Sequence, residues 1–168
     1  TGGGSSGTFV FATGDSNATT STTAPTPISS SVFDTITDFA KGSTGDVLDL
    51  AGTPSLPGNT SGVNVSAATT DNPTDVITGA ITNGIIALDG ADKANVDTLT
   101  EWLSVARSMV ATTGQVGAFE FSGDTYVFQE LGNNSSLATS DLLIKLSGVT
   151  GITDLSATPL TDNSLWIS

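Results

Sequence analysis

The stretch Phe33–Leu50 constrains the fold more than any other part of the chain. It reads Phe-Asp-Thr-Ile-Thr-Asp-Phe-Ala-Lys-Gly-Ser-Thr-Gly-Asp-Val-Leu-Asp-Leu. Two β-prone pieces, Val32–Phe39 and Asp46–Leu50, flank a turn built on Gly42 and Gly45. In the second piece Leu48 and Leu50 fall on one face and Asp49 on the other, the period of two expected of a half-buried strand. The carboxylates Asp34, Asp38, Asp46 and Asp49 gather around the bend. The expected unit is an acidic strand–turn–strand with apolar sides inward and oxygen ligands near the turn.

The same period recurs downstream. Ala118–Phe128 reads as a hairpin: Phe119 and Phe121 share a face, Ser122-Gly-Asp124 turns the chain, and Tyr126 and Phe128 share a face on the return. Asp141–Leu146 is a strand with Leu142, Ile144 and Leu146 inward and Lys145 outward. Ile85–Leu88 is a buried-strand candidate, and Val63 and Val65 alternate as a short edge strand. Asp97–Ala111 is the one helix. Thr98 and Glu101 have capping-box spacing, and Leu99, Trp102, Leu103, Ala106, Met109 and Val110 fall on one face. That helix is expected to cover an open end or face of the sheet. Residues 12–31 and 51–78 are rich in Ser, Thr, Gly and Pro and read mainly as loops, with Asp15 beside Gly14 capping a turn. The expected fold is therefore mainly β, a β-roll or β-sandwich-like cap with a single amphipathic helix. It forms one β-rich domain over residues 1–168, in which residues 1–31 are a degenerate roll turn plus a loop and residues 32–168 are the cap.

Charge narrows the function. Seventeen acids stand against four bases, a net charge of −13. That balance repels nucleic acid and anionic membranes and favours divalent cations. The chain has no Cys and no His, which excludes disulfides, thiolate or imidazole zinc sites, the Ser-His-Asp triad and Cys-His catalysis. No run approaches the roughly 20 apolar residues of a membrane-spanning helix. The chain begins at Thr1 without the features of a signal peptide, which reads as a fragment or a processed piece of something longer.

Asp34-Thr-Ile-Thr-Asp-Phe39 followed by Gly45-Asp-Val-Leu-Asp-Leu50 resembles the segment after the last calcium-binding repeats of the RTX family, bacterial proteins exported by type I secretion. The later order is also similar: a helix, Phe-x-Phe-x-Gly-Asp-Thr-Tyr-Val, Asp-Leu-Leu-Ile-Lys-Leu-x-Gly and a polar tail. The likeness is greatest to the C-terminal domain of RTX-like S-layer proteins of Gram-negative bacteria. Laid on the repeat, Gly2 and Gly3 hold glycine places and Phe9 the inward place, while Gly7 stands where a calcium-ligating Asp belongs. The insertions Ser16–Ser30 and Pro54–Thr74 depart from a compact version. The resemblance implies an unfolded C-terminus read as the export signal, folding outside the cell with help from calcium, and seating in a surface assembly. Its partners would be the secretion machinery and other copies of the chain, and its location the cell exterior.

Calcium takes about six to eight oxygens. Asp34, Asp38, Asp46 and Asp49 are the candidate ligands, with carbonyls near Gly42 and Gly45. Their other reading is as solvated strand-end and turn acids. Asp124 reads as a turn former. Glu101, Glu120 and Glu130 are the only glutamates. Glu101 reads as a helix cap, Glu120 points away from the Phe face, and no cleft is marked for paired-carboxylate chemistry. The expected function is a non-catalytic module for secretion and assembly. The rivals are the carrier domain of a secreted calcium-dependent hydrolase and an adhesin or glycan-binding module.

Overall fold

Hairpin chemistry sets the centre of the molecule. In the computed structural model, which describes residues 6–18, 32–65, 76–132, 137–155 and 163–168, two tight hairpins turn on residues with positive φ. Ser122 and Gly123 have φ of 54° and 84°, and Asn83 and Gly84 have 50° and 79°. Two consecutive left-handed residues are what a two-residue loop needs to match the strand twist. The described strands are β1 (Thr8–Val10), β2 (Asp34–Ile36), β3 (Val47–Asp49), β4 (Thr60–Val65), β5 (Ile77–Thr82) and β6 (Ile85–Leu88). The helices α1 (Gly90–Lys93) and α2 (Leu99–Met109) follow, then β7 (Val116–Phe121), β8 (Asp124–Gln129), β9 (Leu142–Leu146) and β10 (Ser164–Leu165).

The fold is mainly β. One sheet has the order β2-β9-β8-β7-β6-β5-β4 and the other β1-β3-β10. Most neighbours are antiparallel, but β1–β3, β2–β9 and β6–β7 run parallel. The two pieces of the Phe33–Leu50 stretch do not pair with each other. β2 adds to β9, with Asp34 opposite Ile144. β3 lies in the other sheet, between β1 and β10, with Leu48 opposite Phe9 and Leu165. The bend between them thus carries the chain from one sheet to the other.

Two apolar cores follow from the alternation, one on each face of the long sheet. Trp102, Leu103, Ala106 and Met109 of α2 pack with Phe119, Tyr126, Phe128 and Leu143 on one side. On the other, Val116, Ala118, Val127, Leu142, Ile144 and Leu146 meet Phe11, Leu48, Leu50, Leu165 and Ile167 from the short sheet and its flanks. The arrangement is helix, sheet, sheet, and of the two expected architectures it is the sandwich-like one. The rings of Trp102 and Phe119 stack at 5.2 Å, and those of Phe119 and Tyr126 at 5.5 Å.

The expected capping box is present: Thr98 Oγ1 accepts the Glu101 N–H at 3.3 Å, and Glu101 Oε2 accepts the Thr98 N–H at 3.0 Å. The helix is buried more widely than one apolar face. Glu101, Val105 and Arg107 are buried as well. Residues 12–18 run without a helix or strand, as the loop reading of residues 12–31 expects, and residues 19–31 lie outside the described residues. Asp15 does accept the Ala12 N–H across a turn. Ser16, however, is fully buried: its hydroxyl donates to the Leu143 carbonyl and accepts the Asp34 N–H at 2.7 Å. It fastens this segment beside the start of β2, and Asn17 bridges to Leu142. The glycine places at Gly2 and Gly3 and the prolines Pro25, Pro27 and Pro73 lie outside the described residues.

Candidate functional site

The four aspartates expected to share an ion are spread over two sheets and differ in environment. Asp34 begins β2 and is exposed, and Asp38 follows that strand and is exposed. Asp49 is half-buried at the end of β3. Asp46 is fully buried. Its Oδ1 accepts the Gly7 N–H at 2.6 Å and its Oδ2 the Ala40 N–H at 2.8 Å. Its own N–H donates to the Ala40 carbonyl at 2.8 Å. Both oxygens are therefore occupied by main-chain donors from segments far apart in sequence. Gly45 stands so close to the carbonyl oxygens of Ala40 and Lys41 that a Cβ would collide with them, and Gly42 takes φ of 104°. These two glycines let the bend wrap around the Asp46 carboxylate. Among the described residues no three acidic side chains come together as a metal cage. The donor set does not fit the six to eight oxygens of a calcium shell.

Other carboxylates serve in the same way. Asp141, fully buried, accepts the N–H groups of Leu131 at 3.0 Å, Gly132 at 2.9 Å and Ala138 at 2.7 Å. It closes the connection from β8 to β9. Glu101 takes the Asp97 N–H and the Thr98 N–H and hydroxyl on one oxygen. Glu120 Oε1 accepts the Ile152 N–H at 2.8 Å. Glu130, wholly buried, lies 2.8 Å from Arg107 Nε. The Asp141 clamp and the Arg107–Glu130 pair were not anticipated. An acid at the start of a strand and a cation on a helix are their only sequence marks, and neither names a partner.

Asp124 does more than form its turn. Its Oδ2 lies 2.7 Å from Lys145 Nζ, and its Oδ1 accepts the Gly148 N–H at 2.8 Å. Burial raises its pKa, but the Lys145 ammonium and the Gly148 amide outweigh that and hold the carboxyl below the ordinary 3.8. The hydrogen bond to Asp124 raises Lys145 above its ordinary 10.5, against a smaller opposing effect of burial. Lys145 also sits 5.9 Å from the Tyr126 ring centre, whose hydroxyl is raised by burial first and by Asp124 after it.

The outer face of the short sheet carries two of the large apolar side chains exposed among the described residues, and Val76 before β5 is a third. Phe9 and Phe11 point toward the core, so Val10 between them points out and is 69% exposed. Leu165 and Ile167 point in, and Trp166 between them is 36% exposed. Val47 and Asp49 share this outer face. β1 is an edge strand of its sheet, and β4 is the edge of the long sheet opposite β2. No described helix is long and apolar enough to cross a membrane. No protein-family description matches the chain, and no curated protein matches it.

Proposed function

We propose that this chain is a non-catalytic C-terminal module of an exported bacterial surface protein, serving type I secretion and the assembly of an extracellular S-layer or filament. The observation that carries this reading is the outer face of the short sheet. Val10 is exposed there on the edge strand β1, and Trp166 next to β10 at the opposite edge of the same sheet. Apolar side chains next to a free strand edge favour pairing between copies. The use of the buried acids fits a structural role: Asp46, Asp141 and Glu101 hold main-chain amides in place. Export fits as well. Leu165 and Ile167 are buried at 0% exposure, so a signal in this segment is readable only in the unfolded chain.

Calcium enters this reading as a counter-ion to the net charge of −13 rather than as a resident of a cage built from Asp34, Asp38, Asp46 and Asp49. A screening effect is shared by magnesium, whereas a dedicated shell discriminates between the two ions. The test is sedimentation and negative-stain microscopy of the purified chain in calcium, in magnesium and in EDTA. Ordered sheets or fibres that disappear in a Val10→Asp, Trp166→Asp double variant support assembly through this face. Monomers under all conditions refute it. Trp166 on the same face as Asp49 also suits stacking on a sugar ring, and glycan-array binding by a monomer would favour the adhesin reading. The carrier-domain reading is favoured by a protease or lipase motif upstream.

A further inference from the structure

The long sheet has a seam. β6 and β7 are joined at a single register pair, Ile85 opposite Ala118, with the Ala118 N–H donating to the Gly84 carbonyl at 2.8 Å. Every other junction in that sheet has three or more register pairs. The hairpin registers fix which main-chain groups face the seam. Thr82 pairs with Ile85 and Phe121 with Asp124 next to their turns. Alternation then directs the groups of Ile86 and Leu88 away from β5, and those of Ala118 and Glu120 away from β8. Extending the ladder would set Ala87 opposite Glu120, and among the described residues the register stops at Ile85 and Ala118. The seam holds a groove of about 220 Å³ between Ile85–Leu88 on one side and Glu120 on the other, with Trp102 and Lys93 along it. Beyond Glu120 it widens to about 400 Å³ beside Val96, Asp97 and Phe121.

We propose that this seam receives an extended, neutral-to-basic peptide segment of another protein as an added strand. Beyond the Ile85–Ala118 pair, the main-chain groups that β6 and β7 direct into the seam offer the donors and acceptors that strand addition uses. Phe121, half-buried at the mouth of the groove, offers apolar contact for a side chain on one face of the guest, with Val96 and Trp102 buried behind it. Charge selects the guest. Asp97 and Glu120 line the groove against Lys93, and the whole chain is acidic. At this groove a segment carrying Lys or Arg is attracted, whereas an acidic segment, the kind this chain with its 17 acids and 4 bases mostly supplies, is not. The site is separate from the Val10–Trp166 face and does not depend on it.

The test uses the full chain with Trp166→Phe, which leaves Trp102 as the sole tryptophan reporter. The probe is a blocked Lys-Val-Thr-Val-Lys pentapeptide, titrated by fluorescence at low salt. The expected result is saturable binding, weakened about tenfold or more by methylating the central amide nitrogens, because strand pairing needs those N–H groups. Replacing both lysines of the probe by Glu weakens binding similarly, and Glu120→Gln narrows the gap between the two probes. The methylated probe leaves the protein untouched, so the test stands even if Glu120→Gln fails to fold. No binding, equal binding by the methylated probe, or displacement of the probe by self-association at high protein concentration each overturns the proposal.

Discussion

Asp46→Asn separates a main-chain clamp from a metal ligand. The wild-type carboxylate accepts two N–H groups, from Gly7 and Ala40, and is fully buried. The amide of Asn keeps one acceptor oxygen and turns an NH₂ toward the other donor. One hydrogen bond to a charged group is lost and one buried amide is stranded, a loss of about 2 kcal/mol. Asp46→Ala removes both bonds, strands both amides and costs roughly 3–4 kcal/mol. In a chain of this size the Asn variant should lower Tm by about 4–8 °C. Urea unfolding of wild type and both variants, in calcium and in EDTA, measures the effect. The deficit should be the same with and without calcium. A loss below about 0.5 kcal/mol, the range of an ordinary surface substitution, or a loss seen only with calcium, would refute the clamp.

Thr98→Ala removes the side-chain half of the capping box and should cost about 1 kcal/mol by urea unfolding, with loss of helical signal at the start of α2. Arg107→Met leaves the Glu130 carboxylate buried without its guanidinium and should cost about 3–5 kcal/mol, while Arg107→Met with Glu130→Leu should recover most of it. The Asp124–Lys145 pair predicts a two-ended pH profile. Asp124 is held below 3.8, so its contribution is present above that value and is lost as pH falls through the lower folded value. Lys145 is raised above 10.5, so its contribution is present below that value and is lost as pH rises through the higher one. The stability difference between wild type and Asp124→Asn should be flat from about pH 5 to 9 and shrink at both extremes.

Local signals in the sequence carried far, and they stopped where partners are distant. The hairpin at Ala118–Phe128, the strand through Leu142, Ile144 and Leu146, the edge strand at Val63 and Val65 and the Thr98–Glu101 box all rest on neighbours a few residues apart. Each is present. Leu143 shows the limit of the period-two reading: it occupies a place expected to face outward, yet it is fully buried. A second apolar layer lies over that face, and alternation along one strand cannot report it. The parallel pairing of β1 with β3 and of β2 with β9 likewise has no local mark. Asp46 is the sharpest case. Its donors are 39 and 6 residues away, and an aspartate beside a glycine turn looks the same whether it holds an ion or an amide. Arg107 and Glu130 interrupt no apolar pattern and were legible only as charges.

The place of β10 bears on how synthesis and folding are timed. This strand pairs with β3 near the other end of the chain, and Leu165 and Ile167 fill the interior against residues such as Phe11 and Leu48. A ribosome making this polypeptide releases β1 and β3 more than a hundred residues before the strand that must lie beside them. Closure by contacts so remote in sequence is slow. The part of the long sheet that Leu165 and Ile167 cover therefore stays open until β10 has been made.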